Sequence, residues 1–193
     1  MNKKIILASK SPRRKYLLKQ AGIEFLVIPP QVDESEFNLT NPSDYVKKLA
    51  LAKAEYIAEK HPDLWVLGAD TIVYINNTIL EKPRSKKHAV QMLKCLSAKT
   101  HVVYTGFSIF CKNKAQKISR TTKTEVILKK MSDHEIKWYV NTKEPFDKAG
   151  AYAIQGLGAS LVKSINGSYT NVVGLPVCEV IEDLILLKAI KKY

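Results

Sequence analysis

The sequence is poor in the residues that build disulfide frameworks and zinc sites. Its 193 residues include three cysteines and four histidines. The cysteines Cys95, Cys111 and Cys178 are odd in number, far apart and without the close spacing of metal ligands. This pattern disfavours disulfide-stabilised and zinc-binding proteins, and it is typical of a reducing cytoplasm, where we expect the protein to be. The scattered histidines are interpreted as surface or structural residues.

Long apolar runs are also absent from the sequence. A membrane-spanning helix needs about 20 consecutive apolar residues, and no stretch approaches that length. We therefore expect no membrane partner. With 46% hydrophobic and 25% charged residues, the composition is that of an ordinary globular protein. Because the chain has no repeat, linker or low-complexity tract, we predict a single domain over residues 1–193.

Acidic residues are scarce relative to basic ones. The chain has 31 Lys and Arg against 18 Asp and Glu, a net charge of +13. Such an excess favours a polyanionic partner, which is either nucleic acid or the phosphates of a small ligand. The basic residues are spread over most of the chain and are not interleaved with stacking aromatic residues, so nucleic acid is the less favoured partner.

An anion site is predicted near the N-terminus, although the glycines of a Walker loop or a dinucleotide fingerprint are missing. Residues 4–8 are predicted to form a strand, and a turn containing Ser9 and Ser11 leads into a helix. Arg13 and Arg14 fall in the first turn of that helix, where the helix dipole repels positive charge. A bound phosphate would reverse this penalty.

The region Asp33–Glu36 is acidic in an otherwise basic chain. Three of its four residues are carboxylates. This segment is either a solvated loop or a source of oxygen ligands, Glu34 among them, for a hard cation such as Mg²⁺.

Lys53 lies on the apolar face of the longest predicted helix, which runs from Ser43 to about Lys60. Apolar residues such as Ala50 and Ala54 share this face at helical spacing. A lysine in such a position either extends its ammonium group to the protein surface or supplies a fixed positive charge to a cleft.

Asp70 stands in the middle of an apolar stretch, Val66–Val73, that predicts a buried strand. Burying a carboxylate is costly without a partner. Asp70 therefore either caps a turn or lies at a cleft where cations or hydrogen-bond donors neutralise it. A predicted hairpin with its turn at Asn76 and Asn77 would bring Glu81 and Lys82 back towards this carboxylate.

The remaining elements predict a mixed α/β fold with a mixed sheet, since helices and strands alternate first and hairpins dominate later. They are a helix capped by Ser85, two antiparallel strands at Thr100–Cys111 and Ile118–Leu128, a helix opened by a capping box at Ser132, an Asn166-Gly167 hairpin joining strands 159–165 and 168–173, and a final helix from Val177 to about Ile190.

Six segments of the sequence carry a combined signal. They are Ser9-Lys10-Ser11-Pro12-Arg13-Arg14, Gly68-Ala69-Asp70-Thr71, Glu81-Lys82-Pro83, Asp147-Lys148-Ala149-Gly150-Ala151-Tyr152, Ile154-Gln155-Gly156 and Val173-Gly174-Leu175-Pro176. Together they resemble the motifs of the Maf family of nucleoside triphosphate pyrophosphatases. The similarity covers nearly the whole chain, with the motifs in the order and spacing of the family. It implies an α/β fold with a strongly twisted mixed sheet flanked by helices, and two lobes around a central cleft, as in inosine triphosphate pyrophosphatases.

The resemblance implies hydrolysis of a nucleoside triphosphate between the α and β phosphates, with a divalent cation, Mg²⁺ or Mn²⁺. It implies that Asp70 accepts a proton and that Arg13, Thr71 and Gln155 set base specificity. At these three positions the chain is similar to the subgroup acting on dTTP and UTP, and modified pyrimidine nucleotides are further candidate substrates. A homodimer is also implied.

The residues and the resemblance together predict a role for each candidate site residue. Asp70 and Glu34 hold the metal, and Asp70 either takes the proton itself or only orients the metal. The predicted substrate-binding residues are Ser9, Ser11, Arg13, Arg14, Lys53 and Lys82. Two alternatives remain open at this point: a 7-methyl-GTP pyrophosphatase of the same family, and a basic protein that binds nucleic acid or regulates septum formation, the process from which the family takes its name.

Overall fold

The structure is a computed structural model that describes residues 5–37 and 41–191, and it contains a seven-stranded mixed sheet flanked by helices. The strands are β1 Ile5–Ala8, β2 Phe25–Val27, β3 Val66–Ile75, β4 Thr78–Leu80, β5 Thr100–Cys111, β6 Gln116–Leu128 and β7 Val162–Asn166. The α-helices are α1 Pro12–Gln20, α2 Pro42–Ala58, α3 Lys86–Leu96, α4 Asp133–Asn141, α5 Tyr169–Val173 and α6 Val177–Leu186. None of the helices within the described ranges is long and apolar enough to cross a membrane.

The sheet follows the order β2-β1-β3-β5-β6-β7, and β4 pairs with β3. Strand β1 runs parallel to both β2 and β3, whereas the pairs β3–β4 and β6–β7 are antiparallel. All four residues of β1 are buried, which explains why the strand reads as a continuous apolar run rather than an alternating one. The predicted mixed α/β class is confirmed.

The chain divides into two compact units. The first comprises Met1–Asp70, Thr105–Thr122 and Gly174–Tyr193, and the second comprises Thr71–Tyr104 and Lys123–Val173. Each unit has its own apolar cluster, which includes Ile6, Ala54, Ile57 and Val66 in the first unit and Leu93, Val103, Tyr139 and Leu161 in the second. Because neither unit is a contiguous stretch of chain, a single domain over residues 1–193 remains our prediction.

Polar side chains cap the N-termini of helices α1, α2 and α4. The Ser11 side chain accepts a hydrogen bond from the Arg14 N–H, with Pro12 at the first helical position of α1. Asn41 caps α2 by accepting from two backbone N–H groups, and Ser132 forms a complete capping box with Glu135 at α4. These bonds satisfy donors that the first helical turn leaves unpaired.

One of the two predicted asparagine turns is correct. Asn76 and Asn77 both have positive φ, 49° and 59°, as the tight turn between β3 and β4 requires. The hairpin predicted at Asn166-Gly167 is wrong. Gly167 has φ +128°, far from the left-handed helical value that a two-residue hairpin turn needs, and Ser168 then accepts from the Asn171 N–H where α5 begins.

Two further boundaries differ from the prediction. Residues predicted to begin a strand at Ala159 belong instead to a 3-10 helix, Gly156–Leu161, and β7 starts only at Val162. Helix α6 ends at Leu186, short of the predicted end, and Lys188 has φ +54°, which cannot continue a right-handed helix.

The backbone of α2 lies unusually close to β3. A Cβ atom added at Gly68 would lie 2.2 Å from the Ala50 carbonyl oxygen and 2.8 Å from the Ala54 nitrogen, so only glycine fits there. This close approach sets Lys53 of α2 beside Asp70, two residues beyond Gly68 on the strand.

Candidate active site

The ammonium group of Lys53 joins two carboxylates. Its Nζ lies 2.7 Å from Asp70 Oδ1 and 2.7 Å from Glu34 Oε1. The side chains of Lys53 and Asp70 are only 11% and 13% exposed, whereas Glu34 is 54% exposed. Lys53 therefore does not extend to open solvent: it is a fixed positive charge between a buried and an exposed carboxylate.

Asp70 combines burial with charged neighbours of both signs. Desolvation raises the pKa of Asp70 more than the positive charges of Lys53 and Arg14 lower it, and the Glu34 carboxylate raises it further. A carboxylate with a raised pKa is a stronger base, so it is better able to accept a proton during catalysis.

Arg14 binds backbone carbonyl groups. Its Nε donates to the Gly174 carbonyl at 2.8 Å, and its Nη1 donates to the Ala69 carbonyl at 2.9 Å and to Ser9 Oγ at 3.4 Å. Burial lowers the pKa of the Arg14 guanidinium, and the Asp70 charge opposes this effect. Arg14 thus connects the β1–α1 turn, the residue preceding Asp70 and the backbone at Gly174.

The two serines of the first motif shape its turn. Ser9 is buried, and its Oγ accepts from the Ser11 N–H at 3.1 Å as well as from Arg14. The Ser11 Oγ caps α1, and Arg13 lies half-buried in the first turn of the same helix. The structure thus brings Ser9, Ser11 and Arg14 together, with hydroxyl groups that stabilise the turn. Their contact with phosphate stays a prediction.

The carboxylates of Asp70 and Glu34 fit Mg²⁺ in part. Mg²⁺ is bound in many nucleotide enzymes by one or two carboxylates, with substrate phosphates and water completing its shell. Over the described ranges 5–37 and 41–191, no group of three or more His, Cys, Asp or Glu side chains could hold a metal by itself. In this structure Lys53 is the cation that the two carboxylates share.

Three predicted site residues belong to the second unit. Thr71 is half-buried and follows Asp70 on β3, and Gln155 is half-buried immediately before the 3-10 helix Gly156–Leu161. Lys82 is exposed and follows Glu81, whose carbonyl accepts from the Gly150 N–H at 3.1 Å. This bond joins the Glu-Lys-Pro motif to the Asp-Lys-Ala-Gly motif, while the roles of Thr71, Lys82 and Gln155 stay predictions.

Sequence reasoning missed a hydrogen-bond network around Gln155. The Glu144 carboxylate accepts from Tyr139 OH and from the backbone N–H groups of Leu157 and Gly158. The Tyr139 OH in turn accepts from the Ala153 N–H at 3.1 Å. No periodicity marks these contacts, and the only local signal was a carboxylate placed just before the fourth motif.

His101 is a structural residue, as the sequence suggested for histidines in general. It is 2% exposed, and its Nε2 lies 2.7 Å from Tyr152 OH, with the two rings edge to face. Burial lowers the pKa of His101 to about 4, so the ring is neutral at pH 7. The other ring nitrogen, Nδ1, is buried and has no hydrogen-bond partner among residues 5–37 and 41–191.

Comparison with known proteins shows which family the chain is similar to. The family described as Maf-like protein matches residues 4–187. A dTTP/UTP pyrophosphatase of Syntrophus aciditrophicus is 48% identical over 184 residues, covering 95% of this chain and 90% of that protein. Proteins of the same name from Citrifermentans bemidjiense and Bacillus anthracis are 47% and 48% identical, covering 98% and 94% of both chains respectively. The chain therefore belongs to the Maf-like protein family.

Proposed function

We propose that this protein hydrolyses dTTP and UTP to the nucleoside monophosphate and pyrophosphate, with modified pyrimidine nucleotides as further candidate substrates. The observation that carries the proposal is the Lys53 ammonium between Asp70 and Glu34, beside an arginine-rich helix start. The names of relatives about 48% identical over nearly the full chain support the choice of nucleotides.

Asp70 is the proposed proton acceptor. A water molecule attacks the α phosphorus, pyrophosphate leaves, and Asp70 takes the proton that the water loses. Burial, which raises the pKa of this carboxyl group, suits it to that role. Lys53 is bonded to the same carboxylate and keeps it oriented while supplying positive charge.

Positive side chains stabilise the charge that builds up on the phosphates. We assign this role to Arg13, Lys53 and Lys82, with Ser9, Ser11 and the backbone N–H groups of α1 positioning the phosphate chain. Arg14 is also a proposed substrate-binding residue because of its positive charge, although its guanidinium donates hydrogen bonds to the carbonyl groups of Ala69 and Gly174.

Asp70 and Glu34 are the residues that would hold a divalent cation, Mg²⁺ or Mn²⁺. The ion supplies Lewis-acid chemistry and lowers the pKa of a bound water. The contribution of the chain is the pair of oxygen ligands together with Lys53, whose positive charge offsets part of their repulsion.

Arg13, Thr71 and Gln155 are the proposed base-reading residues. The donors and acceptors on the base edge of a pyrimidine differ between uracil and cytosine, and a buried group left unpaired costs about 1–3 kcal/mol. Hydrogen bonds from these side chains therefore discriminate between nucleotides, and the proposal favours thymine and uracil over 7-methylguanine.

The proposal includes a cytoplasmic homodimer without a nucleic-acid or membrane partner. The three cysteines are free thiols, which suits a reducing compartment. The alternative function, nucleic-acid binding or regulation of septum formation, does not explain why two carboxylates contact Lys53. Its signature would be DNA or RNA affinity that falls steeply with salt.

A substrate panel with pyrophosphate detection tests the proposal. The panel contains dTTP, UTP, CTP, GTP, ATP and 7-methyl-GTP, each with Mg²⁺, with Mn²⁺ and with EDTA. We expect cation-dependent release of pyrophosphate with dTTP and UTP preferred. A preference for 7-methyl-GTP would assign the protein to the other branch of the family, and no turnover of any nucleotide would overturn the proposed activity.

A further inference from the structure

The carboxylate of Glu144 fixes the backbone that follows Gln155. Its Oε1 accepts from the Gly158 N–H at 3.0 Å, and its Oε2 accepts from the Leu157 N–H at 3.1 Å. Gly156, between these residues and Gln155, has φ +67°, and a Cβ atom there would lie 2.6 Å from Glu144 Oε2. The turn therefore has room for this carboxylate only because residue 156 is glycine.

Tyr139 fixes the backbone that precedes Gln155. The Tyr139 ring is fully buried, and its OH donates to Glu144 Oε1 at 2.8 Å while accepting from the Ala153 N–H at 3.1 Å. The pair of Tyr139 and Glu144 thus holds the chain two residues before Gln155 and two to three residues after it.

Glu144 is itself held in place by its own segment. Its N–H donates to Thr142 Oγ1 at 3.3 Å, and its carbonyl accepts from Lys148 Nζ at 2.7 Å. Desolvation raises the pKa of Glu144, but the hydrogen bonds from Gly158, Tyr139 and Leu157 together outweigh it, so the pKa lies below its usual value. The group is a carboxylate at neutral pH and accepts three hydrogen bonds.

A backbone held on both sides of Gln155 is important if the Gln155 side chain recognises a base. Thymine and uracil present an acceptor at O4 and a donor at N3, and cytosine presents the reversed pair. A glutamine amide offers one acceptor and two donors, so the orientation of the amide decides which base it can recognise. A site that hydrogen-bonds a substrate group discriminates strongly between substrates when the position of its hydrogen-bonding side chain is fixed.

We propose that Glu144, together with Tyr139, is a positioning residue for base recognition that sets the preference for thymine and uracil by fixing the backbone on both sides of Gln155. This inference rests on the proposed function, in which Gln155 reads the base. It adds a specificity determinant that acts through Gln155.

The substitution Glu144→Gln tests this role with little change in shape. The amide keeps one acceptor oxygen but places an NH₂ group against a backbone N–H. We expect kcat/KM for dTTP to fall about 10-fold, mainly through KM, and the ratio of kcat/KM for dTTP to that for CTP to fall by a similar factor. The kcat for dTTP should stay within about 3-fold, because the reacting phosphates are not involved.

Glu135→Gln is the matched control. Glu135 lies in the same unit and also accepts from backbone and side-chain donors, but these donors, Ser132 N–H and Lys129 Nζ, lie outside the segment 153–158. We expect this variant to keep the dTTP to CTP ratio of the wild type. Tyr139→Phe removes the two hydroxyl bonds and should lower the ratio as Glu144→Gln does, and it carries the test if Glu144→Gln does not fold.

The outcomes separate this inference from the proposed function. If Glu144→Gln and Tyr139→Phe lower the melting temperature but leave the nucleotide ratio unchanged, their role is structural and the inference is overturned. A wild-type protein that does not prefer dTTP over CTP would overturn the proposed specificity before any variant is compared. The variant Gln155→Glu tests whether Gln155 reads the base. If its ratio of kcat/KM for dTTP to that for CTP equals that of the wild type, Gln155 does not read the base, and this inference is overturned as well.

Discussion

Lys53 Nζ and Asp70 Oδ1 lie 2.7 Å apart, and both side chains are almost completely buried. The lysine comes from the middle of α2 and the aspartate from β3, and the glycine at position 68 lets the two backbones approach. A buried charge is tolerated when an opposite charge and hydrogen bonds compensate its lost hydration. Each of these two residues thus makes the burial of the other acceptable.

A double-mutant cycle on Lys53→Met and Asp70→Asn measures this coupling. Lys53→Met leaves the buried Asp70 carboxylate without this cation, and Asp70→Asn removes one of the two negative charges that compensate the Lys53 ammonium, so each should lower the free energy of unfolding. We expect a coupling energy of about 1–3 kcal/mol from urea unfolding.

The ion pair between Lys112 and Glu59 is the control for this cycle. Its side chains are 45% and 59% exposed, so the same cycle should give a coupling below about 1 kcal/mol. Equal coupling in the two pairs would mean that burial adds nothing to the Lys53–Asp70 interaction.

Asp70→Asn should abolish most turnover while preserving the shape of the site. Asparagine cannot accept the proton and is a poorer metal ligand, so we expect kcat for dTTP to fall about 100-fold or more. The measurement is pyrophosphate release at saturating dTTP.

Asp183→Asn controls for the loss of a buried, paired carboxylate. Asp183 is 1% exposed and accepts from Arg120 at 2.7 Å, but it has no part in the proposed chemistry. This variant should lose stability and keep its turnover below the melting temperature. Activity of Asp70→Asn within a few-fold of the wild type would show that the proton acceptor has been assigned wrongly.

Stability should fall in mild acid because of His101. Its pKa is about 4 in the folded protein and about 6.5 in the unfolded chain, since burial disfavours the charged ring. Between these values the unfolded state binds more protons, so the free energy of unfolding decreases as pH falls from 6.5 to 4. A pKa difference of this size corresponds to at most about 3–4 kcal/mol.

Urea unfolding at several pH values checks this prediction. In His101→Gln the slope of stability against pH between 6.5 and 5 should be shallower than in the wild type. His134 is exposed, and His134→Gln should leave the slope unchanged. Identical slopes in all three proteins would contradict a role for His101.

Gly68→Ala should disrupt the packing of α2 on β3. The added methyl group meets the backbone of Ala50 at 2.2 Å and of Ala54 at 2.8 Å, and backbone atoms cannot move aside as a rotamer can. We expect a loss of at least about 3 kcal/mol in the free energy of unfolding, together with lower turnover because Lys53 moves away from Asp70.

Gly22→Ala separates steric conflict from backbone conformation. Gly22 has φ +71° but open space around the position of a Cβ atom, so alanine there should cost only about 1 kcal/mol and leave turnover unchanged. If the two variants lose equal stability, close packing at Gly68 is not the reason for the glycine.

Local chemistry made much of the fold predictable. The helix starts at Ser11, Ser85 and Ser132 and the turn at Asn76 depend on a few neighbouring residues, and each was predicted where the structure has it. The prediction of a hairpin at Asn166-Gly167 was wrong because the backbone conformation after Gly167 depends on a residue far away in the sequence. Thr124 Oγ1 accepts from the Ser168 N–H and helps direct the chain into α5.

The sequence by itself determined the class of fold, the starts of helices α1, α3 and α4, and the family, and it named Lys53, Asp70 and Glu34 as candidate site residues. Periodicity, capping and motif spacing are properties of nearby residues and need no knowledge of the folded chain. Only the tertiary structure decided which atoms meet. It placed the Lys53 ammonium between Asp70 and Glu34, Arg14 on carbonyl groups, and Glu144 on the backbone around Gln155. These contacts join segments far apart in the chain, and their energies depend on burial and on distances of a few ångströms, which a sequence pattern does not encode.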